Sequence, residues 1–343
     1  MRSARAAPDE PSASGGIRVA AEHAFAYRAR AMQLDERIAS LADAAYGGLQ
    51  DSAPRAALLA LHARVNGVGP SSWEDPSLAQ IWFRLGADYV VPRDDLAVFT
   101  LGAMPREPEQ AAALDALGDL VRSALDERPM RSGDVVANLP ELPHRHIIRA
   151  ANVSGKTAIR WDARTTHVLP LDLPEVDVED MRRELARRFL HWFAPATPAQ
   201  FAKWAAVSRA DARETWKAVR PELLPIDLDG EARWALAADE DALRTATAPS
   251  TVRLLPGMSD PFLSLDHPPA PTSPEDVPSR VANSLGGRIF VDGALVGAWG
   301  RVQADVTLFA WRRLSNAVRG RVETEANSFS APLGRPVRVR WLS

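Results

Sequence analysis

At 343 residues, with 46% hydrophobic and 25% charged positions, the chain is long enough for two or more domains and apolar enough to pack their cores. It has no cysteine, which excludes disulfides, thiolate metal sites and a cysteine nucleophile. The formal net charge of -3 makes no overall case for a polyanionic partner, so any such case rests on where the cations fall.

The opening text, MRSARAAPDEPSASGG, carries no apolar signal core and reads as a disordered tail over residues 1–17. No apolar run reaches transmembrane length. A first piece spans 18–106. It begins with helical text (VAAEHAFAYRARAMQL) and a second helix around Asp35 to Ala45, followed by a loop, YGGLQDSAP, and a helix from Pro54 to Val65. LAQIWFRLGADYVVP then reads as extended text around a glycine bend, and DDLAVFTL as a short helix with Asp at its cap.

The second piece, 107–174, opens with an amphipathic helix in EPEQAAALDALGDLVRSALDERP. RSGDVVANLP follows, with Ser132 as N-cap and Pro140 as the stop. PHRHIIRAANVSG reads as a basic helix, and two β-rich runs joined at Asp162-Ala163 close the unit. The third piece, 175–249, repeats that grammar. It has a long helix from Val178 to Trp192, a helix capped by Thr197, another entered at Ser208, and a hairpin across Asp229-Gly230. Helix, short helix, turn, helix, hairpin is the pattern of a winged helix-turn-helix, and the first piece is a looser copy of it. The fourth piece, 250–343, is β-rich, with a hairpin across Asp292-Gly293 and helical text in SNAVRGRVETEANSF. The expectation is therefore an α+β chain: tandem winged-helix units followed by a C-terminal β-rich, barrel-like domain.

Cations gather on the helical pieces. Arg182 to Arg220 holds nine Arg/Lys against three Asp/Glu, and Arg312 to Arg340 holds seven against two. On the long helix stand Arg182, Arg183, Arg187 and Arg188, and on the helix after the turn Arg209, Arg213, Lys217 and Arg220, mostly on one face. Arg55, Arg145, Arg149 and Lys156 complete the candidate phosphate contacts. The same stripes also suit a solvated face or a protein-interaction module. DNA or another nucleic acid is the expected partner, without a membrane and with no cofactor. His144, His146 and His167 lack nearby carboxylates or thiols, so no metal is assigned. The SGKT at Ser154 to Thr157 has Ala150 where a phosphate loop needs its first glycine.

In the loop before the Pro54 helix, Gln50, Asp51 and Ser52 set an amide, a carboxylate and a hydroxyl side by side. Asp51 or Ser52 serves as a helix cap on the simplest reading, but Gln50 has no such use.

GLQDSAPRAALLALHAR, together with the two regular helical units, VRLLPGMSDPFL and FVDGALVGAWGR, resembles the AlkZ-like winged-helix DNA glycosylases. The resemblance covers most of the chain. It implies tandem winged helices curved around duplex DNA and excision of alkylated purines or crosslinks. It also implies a Gln-x-Gln or Gln-x-Asp catalytic motif. Gln50 matches the first glutamine, Ser52 departs at the third position, and Asp51 stands at the middle one. The family's Arg-Gly-Thr-x-His stretch is altered to Arg84-Leu85-Gly86-Ala87-Asp88-Tyr89. In such chemistry Gln50 would position the water, Asp51 would supply charge if it faces the lesion, and Ser52 would assist or cap. Neighbours in an extended segment point opposite ways, which sets Gln50 and Ser52 on one face and Asp51 on the other. No lysine adjoins the motif, so hydrolysis without strand cleavage is expected. Three units in one chain point to a monomer, and the lack of export text to a cytoplasmic, nucleoid-associated protein. A catalytically silent DNA binder or a transcription regulator is the alternative.

Overall fold

The computed structural model describes residues 16–53, 55–257, 260–264 and 286–342. Its elements run β1 (Ile17–Val19), α1 (Ala21–Ala31), α2 (Leu41–Ala44), β2 (Leu49–Gln50), α3 (Ala56–Arg64), β3 (Leu78–Phe83), β4 (Ala87–Pro92), α4 (Leu96–Phe99), α5 (Pro108–Leu125), β5 (Met130–Arg131), α6 (Ser132–Ala137), β6 (Thr157–Trp161), β7 (Thr166–Pro170), α7 (Val178–Phe193), α8 (Pro198–Ala205), α9 (Arg209–Val219), β8 (Leu223–Leu228), β9 (Glu231–Leu236) and α10 (Glu240–Thr245). The last strands are β10 (Val252–Leu255), β11 (Gly287–Val291), β12 (Ala294–Val302), β13 (Asp305–Ala310) and β14 (Arg338–Trp341), with a helix, Asn316–Ser328, between β13 and β14. The chain is mixed α and β.

The third piece forms as its text dictates. Asp177 caps α7, and Thr197 with Gln200 makes a reciprocal capping box on α8. Ser208 caps α9. The apolar stripe of α7, Leu185, Ala186, Phe189, Leu190, Trp192 and Phe193, is buried. Phe189 stacks on Phe193 at 5.3 Å, and Phe201, Trp204 and Trp216 close around them. Each of these buried aromatics contributes on the order of 2–3 kcal/mol by leaving water. Hairpin β8–β9 follows across Asp229-Gly230, both with positive φ.

Local text does not announce two long-range joins. β3 pairs with β6 at Gln80 and Ile159, so strands of the first two pieces lie in one six-stranded sheet, ordered β2-β4-β3-β6-β7-β5. Gln80 stitches the join by accepting from the Trp161 amide at 2.6 Å. β1 pairs in parallel with β8, so Ile17, the last residue of the expected tail, is in a strand opposite Ile226. Residues 1–15 lie outside the described residues.

The C-terminal sheet is ordered β10-β11-β12-β13-β14. The barrel expectation does not hold as a closed structure: β10 and β14 are the sheet's edges among the described residues. The reason is the connection. The helix Asn316–Ser328 carries the chain over the sheet, packs Val322 and Ala326 against it, and returns β14 parallel to β13.

Smaller corrections have local causes. Only Leu41–Ala44 is helical in the stretch Asp35 to Ala45, because Ile38 is drawn into a bridge with Val65. Ser132 is the first residue of α6 and Arg131 its cap, without a side-chain bond. Asp95 stands at the N-cap of α4 as expected but makes no side-chain cap bond; its carboxylate pairs with Arg188. The expected basic helix is instead a 3-10 segment, Ile147–Ser154. There the Asn152 amide bonds the Trp82 and Thr157 backbones and Ser154 bonds the Ala151 carbonyl, and these bonds compete with an α ladder.

Candidate active site and nucleic-acid interface

The Gln50 loop is held from both sides. A Cβ on Gly47 would lie 2.3 Å from the Trp192 ring, so only glycine lets the chain pass α7 there. β2 then pairs Gln50 with Tyr89 on β4, and the Asp51 amide extends the ladder by donating to the Asp88 carbonyl at 2.7 Å. Strand alternation does the rest.

Gln50 and Ser52 fall on one face. The Gln50 Nε2 donates to Ser52 Oγ at 2.9 Å, and the Tyr89 hydroxyl lies 3.4 Å from Gln50 Oε1. Arg84 Nη1 donates to that hydroxyl at 3.0 Å. Gln50, Arg84, Tyr89 and Trp204 line a small cavity with Gly48, Pro261 and Ser264.

Asp51 turns inward and is 1% exposed. Its Oδ1 accepts from the Ala57 amide at 2.9 Å, which ties the loop to the start of α3. Its Oδ2 is buried with no hydrogen-bond partner among the described residues. Burial pushes the carboxyl up to about 7, against the pull of the Ala57 amide and the Arg55 guanidinium. The structure thus brings two of the three motif side chains together and separates the third.

Arg84 also borders a wider groove of about 780 Å³. The hairpin tip Arg84–Gly86 forms one wall, and His144, His146 and Arg149 stand on another. Arg149 is exposed and donates to the Gly86 carbonyl at 3.0 Å. Arg145 is exposed beside it, 3.1 Å from His146.

The other candidate cations separate into exposed and engaged. Arg209 and Arg213 are exposed and have no salt bridge among the described residues. Lys217 is exposed but bonded to Glu214 at 2.8 Å, and Arg220 lies over the Trp234 ring at 3.9 Å. Lys156 pairs with Asp115 and Asp119 of α5. Arg55 lies 4.0 Å over the Trp73 ring, and burial lowers its pKa.

The arginines of α7 do not form an open phosphate stripe. Arg182 is buried, donating to the Met104 carbonyl at 2.8 Å and to Pro105 at 3.1 Å, and it pairs with Glu179. Arg183 pairs with Asp180, Arg187 with Glu222 at 2.7 Å, and Arg188 with Asp95 at 2.8 Å and Glu184 at 2.9 Å. The causes are carboxylates of α7 itself, Glu179, Asp180 and Glu184, together with carboxylates and carbonyls of neighbouring elements.

Sequence reasoning did not single out Arg84, Leu85, Tyr89, Pro261 or Ser264 as site residues. Arg84, Leu85 and Tyr89 carried a signal, as the altered form of the family's Arg-Gly-Thr-x-His stretch, and Pro261 lay in the resembling VRLLPGMSDPFL segment; Ser264 carried none. Among the described residues no group of three or more His, Cys, Asp or Glu is arranged to hold a metal ion. No helix there is long and apolar enough to cross a membrane.

Comparison with known proteins adds a family and a fold. The model of the family described as "DNA glycosylase AlkZ-like" matches residues 27–331. The solved structure of Streptomyces sahachiroi DNA glycosylase AlkZ superposes with a TM-score of 0.73 at 18% identity, covering 95% of this chain and 100% of that one. No curated protein matches the chain.

Proposed function

Since the chain belongs to the AlkZ-like DNA glycosylase family, we propose that it is a monofunctional repair glycosylase acting on duplex DNA. It hydrolyses the N-glycosidic bond of alkylated purines or unhooks crosslinks. On this reading the helical pieces act as winged helices arranged along the duplex, and the protein works as a monomer in the cytoplasm, associated with the nucleoid.

The observation that carries the proposal is the placement of the Gln50 amide at a cavity beside Arg84 and Tyr89. An N7- or N3-alkylated purine is already cationic, so its bond to C1′ can break without a general acid. The electron pair of that bond leaves with the base and neutralises it. Water adds to C1′ of the resulting oxocarbenium-like sugar and gives a proton to solvent. Gln50 is too weak a base to take that proton. Its task is to hold the water, with Oε1 accepting one hydrogen so that the lone pair faces C1′. Ser52 keeps the amide in that orientation by accepting from Nε2. Asp51 acts through the loop, as the buried cap that fixes where Gln50 stands. The exposed Arg145, Arg149, Arg209 and Arg213 supply phosphate contacts.

Mass-spectrometric detection of bases freed from randomly alkylated duplex DNA tests this. The wild type releases alkylated purine. Gln50→Ala lowers release by about 10²–10³-fold, as loss of a positioned polar group at a reacting centre does, while duplex affinity stays within threefold. Release unchanged by Gln50→Ala removes that residue from the mechanism.

One observation favours a second reading, a DNA-binding protein without chemistry or a transcription regulator. No carboxylate lines the Gln50 cavity among the described residues. A sequence-specific footprint with no base release selects that reading.

A further inference from the structure

Leu85 is 97% exposed at the tip of the β3–β4 hairpin, the most exposed large apolar residue among those described. The tip holds three successive residues in the left-handed region, Arg84 at φ 42°, Leu85 at φ 61° and Gly86 at φ 78°. Two of them are bulky residues that disfavour this conformation. Backbone strain of this kind persists only where the surroundings enforce it.

Here they do. Strand pairing runs up to Phe83 and Ala87. Arg84 is bonded to the Tyr89 hydroxyl at 3.0 Å, and Arg149 is bonded to the Gly86 carbonyl at 3.0 Å. A Cβ on Gly86 would lie 2.9 Å from Arg149 Cδ, so the tip and Arg149 pack together closely. The tip is therefore rigid, and the one side chain it leaves in solvent is apolar. Arg84 beside it lines both the Gln50 cavity and the groove.

A base buried in a duplex cannot reach an enzyme pocket without leaving the stack, and an apolar side chain inserted between base steps unstacks them. We propose that Leu85 is that wedge: it enters the stack at the target nucleotide and holds it open while the base is extruded toward Gln50. The inference rests on the DNA reading of the Gln50 site. Arg84 and Arg149 are the positioning residues, because they hold the tip in its strained shape.

The test uses the full-length protein and duplexes containing 2-aminopurine, whose fluorescence rises when it unstacks, read alongside release of 7-methylguanine. Wild type and Gln50→Ala raise the fluorescence severalfold. Leu85→Ala loses that rise and Leu85→Met keeps it, with melting temperature unchanged since the side chain touches solvent only. Leu85→Ala also slows excision of a paired lesion tenfold or more, but slows it less than twofold when the lesion lies opposite an abasic site and is already unstacked. Equal fluorescence for Leu85→Ala and wild type overturns the wedge, as does a wild type that produces no rise. A wild type that raises fluorescence but frees no base supports the wedge and overturns the glycosylase reading instead.

Discussion

Helix α7 and the segment around Ile147–Ser154 both looked, as text, like arginine-bearing helices of a DNA-binding unit. In α7, Arg182, Arg183, Arg187 and Arg188 are all engaged by carboxylates or carbonyls of the protein itself. Around Ile147–Ser154, Arg149 stands exposed in the wall of a groove and Arg145 is exposed near it. The two regions differ in their own acidic residues as well as in what surrounds them: α7 carries Glu179, Asp180 and Glu184 within reach of its arginines, and His144 to Ser154 carries none. A long amphipathic helix at the centre of a core meets acidic partners along its flanks. The 3-10 segment buries Ile148, Ala151, Asn152 and Ser154 and turns Arg149 out to water. Cation density in a sequence is therefore a poor map of the positive surface a phosphate would meet.

The contrast can be broken most directly at Arg182. Removing it leaves the Met104 and Pro105 carbonyls without their buried donor, while Glu179 keeps Arg106, so Arg182→Ala should lower stability by about 3 kcal/mol, the cost of leaving buried acceptors unsatisfied. Denaturant unfolding measures this. A near-neutral result would mean that α7 holds its arginines loosely and could release them to DNA.

Next comes a charge that the fold hides beside the site. The folded Asp51 carboxyl keeps its proton up to about pH 7, whereas an unfolded one loses it near the ordinary 3.8. The folded state thus binds more protons across that window, so stability is fully present below about pH 4 and declines as pH rises toward 7. Asp51→Asn retains a cap for the Ala57 amide and removes the titration. Relative to it, the wild type should lose on the order of 4 kcal/mol between pH 4 and pH 8, about 1.4 for each of the roughly three units separating the folded and unfolded carboxyl. Parallel stability curves for the two proteins would show that Asp51 is solvated.

Smaller and opposite in kind is the effect of an exposed cation. Arg145→Ala should leave stability unchanged, weaken duplex binding, and reduce the slope of log K against log salt by roughly 0.9, as for one lost phosphate contact. The smallest effect is expected for Arg187→Ala. Its pair with Glu222 is partly exposed, so stability should fall by about 0.5 kcal/mol with no change in salt slope. If Arg187 changed the slope and Arg145 did not, the assignment of inside and outside cations would be reversed.

The sequence by itself determined what depends on neighbours along the chain. The amphipathic period of α7, the capping text at Thr197 and Ser208, and the Asp-Gly turns at 229 and 292 all became the elements they describe. Alternation also placed Gln50 with Ser52 and turned Asp51 away, because it follows from backbone pleating alone. Only the tertiary structure decided the joining of β3 to β6, the parallel docking of β1 on β8, and the open C-terminal sheet. It alone set the ion pairs of α7 and the strained presentation of Leu85. Those features arise between segments far apart in sequence, through backbone edges that carry no side-chain signature and through burial imposed by distant elements. A local pattern of residues holds no record of either.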